Sequence, residues 1–504
     1  MARGRREILV PLAEGAPRVE ADRSAVVVGG GIAGVAAATV LAERGVRVTL
    51  VEKEHFLGGR AGAWTDELST GESFEMERGF HAFFRQYYNL QALLRRIDPE
   101  LTFLEKLEDY PIHGPDGEEQ SFQGLPSSTP ANLITLTARS PALGLRDLMK
   151  VSALRALEML TYDQARTYGR RDEMDAGEYL DSLRFPARAR RLFFDVFAHS
   201  FFNPEREMSA GEPLMMFHFY FTGNPEGLVF DVSRKPFSQS IWTPFTEYLV
   251  DLGVTLRLEC EARAVSRTEA GGWRVATEAG SIDGDGVVLA LTVPPLQAVV
   301  DASPDLDDPQ WRSSVAGLAL TNPFVVWRLW LDRPTDPGRV PFIGTTGLGP
   351  LDNISLYHLF ESESRAWHEK HGGAVVELHA YAVDPEVPEE ELRAQLLEGL
   401  HVLYPETRGA EVLEERYLVR QDCPAFAPGS FASRPAVETP FEGLAIAGDF
   451  VKLPLPSALM ERAAASGFLA ANQLLAMDNV RSEPVFSVPQ RGMLAGLFPS
   501  RGGP

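Results

Sequence analysis

The chain has 504 residues, 44% of them hydrophobic and 23% charged, enough for two or three domains around a sizeable core. Its formal net charge of −22 argues against nucleic acid as a partner, because phosphate binding needs stripes of Lys and Arg, but leaves contact with a lipid surface open. The two cysteines, Cys260 and Cys423, show no metal, disulfide or redox-pair spacing and fit a reducing cytoplasm.

Residues 1–22 read as a loose leader, basic at Arg3, Arg5 and Arg6 but without the apolar core of a secretory signal. The long apolar stretch from Ala25 to Ala42 carries four glycines, so no transmembrane helix is expected there. Instead, Ala25 to Val28 reads as a strand, and Gly29-Gly30-Gly31-Ile32-Ala33-Gly34 as a tight turn. Val35 to Arg44 is Ala-rich helix, Gly45 a left-handed helix end, and Arg47 to Glu52 a second strand. Together these form one βαβ unit.

Downstream, residues 111–130 read as a hairpin turning at Asp116-Gly117, followed by a loop. Residues 145–203 look helical, and Arg191 to Asn203 places Phe193, Phe194, Phe197 and Phe201 on one face. Between 254 and 292 the runs VTLRLECEARAV, GWRVAT and GVVLAL return to β character. Phe324 to Leu331 and Ala374 to Ala382 are strand-like, and Glu389 to Leu403 is an amphipathic helix with Pro388 at its start. Leu444 to Ala447 is a short strand entering Gly448-Asp449, and Ala458 to Leu475 is an Ala-rich helix. The last residues, rich in Pro, Gly and Arg, read as a loose tail.

The glycine turn carries chemistry because its context is right: strand before, helix after, and an acid, Glu52, at the end of the next strand. Gly29 permits the turn, Gly31 lets the backbone approach a pyrophosphate, and Gly34 lets the helix pack closely. The helix N-terminus, with Ile32 and Ala33 in its first turn, offers unpaired N–H groups to phosphate. Glu52 can accept hydrogen bonds from both ribose hydroxyls of an adenosine. This turn alone does not separate NAD from FAD.

The continuation does. The run from GGGIAG through Glu52 and Lys53 to Leu57-Gly58-Gly59-Arg60 resembles the extended dinucleotide motif of the flavin amine oxidase and carotenoid desaturase superfamily. That resemblance implies FAD, with Gly59 and Arg60 against its pyrophosphate and ribityl chain. It also implies a remote second half of the site. Gly448-Asp449 resembles the superfamily's C-terminal Gly-Asp, where the Asp meets a ribityl hydroxyl. Leu459 to Gly467 resembles its S-M-E-G-A-x-x-S-G helix start, where backbone near the Met, here Met460, points at the flavin N1 and O2 edge. Arg462 stands where that family usually has Gly, so no cofactor contact is assigned to it. Ala262, in VTLRLECEARAV, aligns with a strand whose backbone touches adenine.

The implied architecture is α/β. A discontinuous Rossmann-like FAD-binding domain of the glutathione-reductase-like, amine oxidase type (residues 23–95, 236–300 and 411–478) carries an inserted α+β substrate domain (96–235 and 301–410). Residues 479–504 form the tail.

Glu77 to Asn89, with its E-x-G-x-H-x-F-F…N pattern, is similar to plant-type phytoene and ζ-carotene desaturases. Phe201 to Gly227 is closer to bacterial β-carotene desaturase/methylases, which turn a β-ionone ring aromatic. That chemistry removes four hydrogens and moves one methyl, and it asks for a dry, orienting slot and one weak base. Phe193, Phe194, Phe197, Phe201, Phe202, Phe217, Phe219, Tyr220 and Phe221, with Met215 and Met216, supply candidate walls. His81, His199 and His218 are candidate bases, of which His81 lies nearest the flavin motif in sequence and is the one assigned a catalytic role. No metal-ligand spacing occurs.

The expected partners are a lipophilic carotenoid and a quinone or oxygen as electron acceptor, in a cytoplasmic protein able to sit peripherally on the inner face of the cell membrane. A phytoene or ζ-carotene desaturase, a carotenoid isomerase, an amine oxidase and a non-enzymatic prenyl-binding protein remain alternatives on the same scaffold.

Overall fold

A computed structural model of the chain describes residues 6–10, 15–115, 117–127, 131–140, 151–192, 201–224 and 226–497. Its centre is a five-stranded parallel sheet made from β1 (Ser24–Val28), β2 (Arg47–Val51), β3 (Thr255–Arg257), β4 (Gly286–Leu289) and β5 (Leu444–Ile446), in the order 3-2-1-4-5. The inner strands are Val-rich and buried along nearly their whole length, as a parallel sheet covered on both faces requires. Helix α1 (Ile32–Glu43) joins β1 to β2 and is buried from Ala33 to Ala42, while α2 (Leu459–Ala476) follows β5 and packs against α1. The order reversal on either side of β1 opens a crevice at the carboxyl ends of β1 and β4, where such sheets bind ligands.

Small residues make this packing possible. Gly29 has φ +104°, and a Cβ there would stand 2.3 Å from the carbonyl oxygen of Ala290, at the end of β4. A Cβ on Gly34 would stand 1.8 Å from the Gly29 carbonyl oxygen, so α1 leaves the turn with no room for a methyl group.

A second, seven-stranded sheet is mostly antiparallel. Its strands run in the order Val412–Arg420, Phe324–Leu331, Ala374–Ala380, Asn353–Leu356, Phe342–Thr345, Ile112–His113 and Glu119–Gln120. Phe324–Leu331 is buried at every position, including Arg328. That charge is tolerated because Glu377, its cross-strand neighbour, pairs with it at 2.8 Å. Burial alone would raise the Glu377 pKa; Arg328 and His379 overcome it and hold the carboxyl down at about 2.

Three sequence expectations change. Residues 411–478 were assigned to one unit with the parallel sheet, but Val412–Arg420 pairs along its length with Phe324–Leu331 and so belongs to the second sheet. Residues 1–22 and 479–504 were expected to be loose. Instead Glu7–Val10 pairs with Val485–Ser487, Ala16 bridges Val480, and Arg6 sits over the Phe486 ring. The run VTLRLECEARAV, read as one strand, divides into β3 and Ala262–Arg267 around Glu259 at φ +51°. Phe193, Phe194, Phe197, His199 and Asp116 lie outside the described residues.

Gly34→Ala is expected to lower the unfolding free energy by about 3 kcal/mol or more, because the added methyl overlaps backbone rather than a yielding side chain. Denaturant unfolding of the purified protein checks this, and an unchanged midpoint would contradict the packing described.

Candidate functional site

The turn after β1 is held by Glu52. The Gly30 N–H donates to its Oε2 at 2.6 Å and the Glu54 N–H to its Oε1 at 2.9 Å. Burial raises the Glu52 pKa, and those two N–H donors pull it back. A second loop packs on the first, since the Gly58 N–H donates to the Gly30 carbonyl at 2.8 Å, which brings Gly59 against Gly31. A Cβ at Gly31 would meet nothing closer than Gly59 Cα at 3.9 Å, unlike those at Gly29 and Gly34. Helix α1 has no side-chain cap at Gly31, so the first-turn N–H groups of Ile32, Ala33 and Gly34 face this open surface. Uncapped donors beside a guanidinium (Arg60), with carboxylates at Glu52 and Asp449, are a donor set that fits a diphosphate flanked by polyhydroxyl groups.

Lys53 lies apart from this cradle, exposed and 3.6 Å from Glu54. Ala262 is half-buried at the start of its strand and pairs with Thr277. The main chain of the same segment meets Glu52 at Arg257, whose carbonyl accepts from the Glu52 N–H at 2.9 Å, and at Cys260, whose N–H donates to the Glu52 carbonyl at 2.9 Å. A main-chain contact of this kind leaves no trace in residue type, which is why the sequence does not single out Cys260.

Arg60, half-buried, and Asp449, buried and distant in sequence, form an ion pair at 2.5 Å. Burial pulls the Arg60 pKa down, but Asp449, Cys423 and Asp422 more than reverse this and keep the guanidinium charged. The Gly448 N–H is fixed by Ser466 Oγ at 2.9 Å, inside α2. Next to the pair opens a small, partly open cavity. One wall carries Phe201, Phe202 and Met216, and another carries Pro424 and Phe426. Ala458, Leu459 and Arg462, from the start of α2, complete it with Cys423. Met460, in the first turn of α2, is half-buried, and the helix has no side-chain cap at Ala458.

Three of the aromatic and Met residues singled out from sequence therefore reach the cavity: Phe201, Phe202 and Met216. Phe217 stacks on Phe221, and the Tyr220 hydroxyl meets that of Tyr87 at 2.7 Å, both within the core. Pro424 and Phe426 have no motif to announce them. Arg462, left without a role above, is a buried clamp. Its guanidinium donates to the Ser457 carbonyl at 2.7 Å and to that of Asp449 at 3.2 Å, and lies 3.5 Å from Glu212, which Arg434 also holds at 2.8 Å.

The Glu77–Asn89 segment meets α2 through another carboxylate. Glu461 accepts from the Asn89 N–H at 3.0 Å, from Asn89 Nδ2 at 2.6 Å and from the Leu90 N–H at 2.9 Å. Burial pushes its pKa up to about 8 against these donors. Glu77 accepts from the Phe237 N–H at 2.7 Å, and Arg78 pairs with Asp422 at 2.6 Å. His81 does not line the cavity. Its Nδ1 donates to the Gly79 carbonyl at 2.7 Å, which leaves Nε2 as the basic atom, and its ring meets Phe237 edge-on. Burial lowers the His81 pKa to about 4, so the ring is neutral at pH 7. His218 is tied to the Pro489 carbonyl at 2.6 Å and stacks on Tyr162, a structural arrangement.

Two outcomes follow from these carboxyl and imidazole environments. In Glu461→Gln an amide NH2 must face a backbone N–H, so stability should fall by roughly 1–3 kcal/mol, read by thermal unfolding. An unchanged Tm would mean that Glu461 does not hold Asn89. A folded His81 pKa of about 4, below the ordinary 6.5, means its contribution to stability is present above pH 6.5 and lost as pH falls through 4. His81→Gln should therefore show a smaller loss of Tm between pH 7 and roughly pH 4.5 than the parent protein. An equal loss would contradict a buried neutral imidazole.

Residues 32–475 match the family described as flavin containing amine oxidoreductase. The chain is 46% identical over 98% of its length to a carotenoid phi-ring synthase from Streptomyces griseus, covering 96% of that protein. It is 29% identical over 95% of its length to a carotenoid phi-ring synthase from Chlorobaculum tepidum, covering 92% of it. A solved structure of a putrescine oxidase bound to putrescine superposes with a TM-score of 0.65 over 90% of this chain and 99% of the other, at 19% identity, a likeness of fold.

Proposed function

The chain belongs to the flavin containing amine oxidoreductase family, and from that premise we propose that it is an FAD-dependent carotenoid desaturase that converts a cyclohexene end group into an aromatic ring. The observation that carries this reading is the cavity beside Arg60 and Asp449. Its walls are aromatic and aliphatic, its only charged lining groups among the described residues are Arg60, Asp449 and Arg462, and each of these is already paired. Such a site suits an apolar ring and offers no free carboxylate to an amine.

In this proposal Gly29, Gly31, Ile32, Ala33 and Gly34 with Gly59 and Arg60 would hold the phosphates of FAD, Glu52 the adenosine ribose, and Asp449 the ribityl chain. Backbone at Met460 would meet the flavin edge, and the Cys260–Ala262 segment the adenine. When bound, FAD supplies a hydride acceptor for an allylic ring carbon. The protein supplies the dry slot: Phe201, Phe202, Met216 and Phe426 exclude water and hold the ring flat. His81, expected from sequence as the weak base, is neutral at pH 7 but does not line this cavity, so it has no contact with a ring placed there. Four hydrogens leave per ring, so two two-electron oxidations need an acceptor outside the chain, for which a quinone or oxygen is proposed.

No helix among the described residues is long and apolar enough to cross a membrane. Delivery of a lipid-soluble substrate supports peripheral membrane contact as part of the same proposal.

Expression in cells that accumulate β-carotene, followed by chromatography and mass measurement, tests the reading. The expected product is lighter by four hydrogens per converted ring. Unchanged β-carotene alongside newly dehydrogenated acyclic carotenes would contradict it and favour a desaturase of linear substrates. The purified protein should also carry a flavin absorbance band near ~450 nm. Glu52→Arg should leave most chains without flavin, since it replaces the acceptor that holds the turn by a cation; unchanged flavin content would contradict the ribose assignment.

A further inference from the structure

Seven residues other than glycine have a left-handed backbone among those described, and two of them, Phe202 at φ +60° and Leu459 at φ +50°, line the same cavity. This region disfavours any side chain with a Cβ, and large apolar residues are rare in it, so each position is strained unless its surroundings impose it. Neither side chain gains full burial in exchange. Both are only partly buried, because each faces the cavity. Strain of this kind persists where the neighbours over-determine the backbone.

Those neighbours are present on both sides. Asn203, which follows Phe202, is 1% exposed. Its Nδ2 donates to the Phe201 carbonyl at 2.7 Å and to the Pro424 carbonyl at 3.3 Å, while its Oδ1 accepts from the Phe426 N–H at 3.0 Å. One amide thus joins two cavity walls and sets the Phe202 backbone between them. Phe202 is further wedged edge-on against Phe324 and Tyr381. On the other side Arg462 grips Ser457 and Asp449 and is itself anchored to Glu212, so the chain must enter α2 with Leu459 turned left-handed. The guanidiniums of Arg434 and Arg462 also sit over the ring of Phe426, at 4.5 Å and 4.8 Å.

The structure assigns Phe202 and Leu459, held in left-handed backbone by Asn203 and Arg462, the selection of a ring-ended over an open-chain carotenoid. This assignment rests on the functional reading above and deepens it. Two apolar side chains placed by left-handed backbone line one slot. A flat six-membered ring with methyl substituents fills such a slot, whereas a thinner open chain leaves contacts unmade.

The test uses the FAD-loaded full chain, incubated with detergent micelles holding equal amounts of β-carotene and lycopene, re-isolated and extracted. The parent protein should retain β-carotene over lycopene by roughly tenfold, the discrimination that one well-fitted apolar group supplies. Leu459→Gly, which relieves the backbone while removing the side chain, should bring that ratio near one. It should do so with flavin content unchanged and Tm no more than roughly 2 °C below the parent. Leu459→Met should keep most of the preference. A ratio in Leu459→Gly within twofold of the parent, or a clear loss of Tm or flavin, would overturn the assignment by making Leu459 a packing residue. No preference in the parent protein would overturn it as well. Because retention is read without turnover, the mass of the β-carotene product separately decides the ring-aromatising reading.

Discussion

The first turn of α2 is the joint on which the site depends. Two adjacent ionisable residues there, Glu461 and Arg462, are buried and hold different parts of the chain. Glu461 grips the backbone of Asn89 and Leu90, and through Asn89 the C-terminal strand at Phe486. Arg462 grips Ser457 and Asp449 and reaches Glu212 in the other half of the molecule. Burying these polar groups is costly, and it is offset only because each finds several hydrogen-bonding partners. The helix end is therefore held from both sides, with Asp449, Leu459 and Met460 around it. Everything proposed for the cofactor edge and the ring follows from that fixed point.

Much of the fold was legible. Strands at 324–331 and 444–446, helices at 389–403 and 459–476, and the βαβ unit stand close to where periodicity, caps and Gly placed them, because each is decided by local pattern. What was not legible depends on partners distant in sequence. Val412–Arg420 reads like any alternating strand, and only its pairing with Phe324–Leu331 says which sheet takes it. The terminal segments look loose by composition yet pair with each other, each supplying the edge the other needs.

The candidate site shows the same division. Gly29, Gly34 and Glu52 could be named because their roles require their residue types. Cys260 meets Glu52 through backbone and leaves no such mark. Arg462 broke the expected pattern and was set aside for that reason, although its side chain braces the turn that the pattern's glycine would leave free. Phe201, Phe202 and Met216 could be chosen only as part of a larger aromatic crowd; which of them face the cavity depends on Asn203 and the Pro424–Phe426 segment.

The most direct test of the central claim is a structure of the FAD-loaded chain with a ring-ended carotenoid bound. The account predicts the diphosphate on the Gly29–Gly34 turn and the flavin at the start of α2. It places the terminal ring between Phe202 and Leu459, with the polyene leading away from Asp449. A ring located outside this cavity, or a flavin remote from Met460, would contradict it.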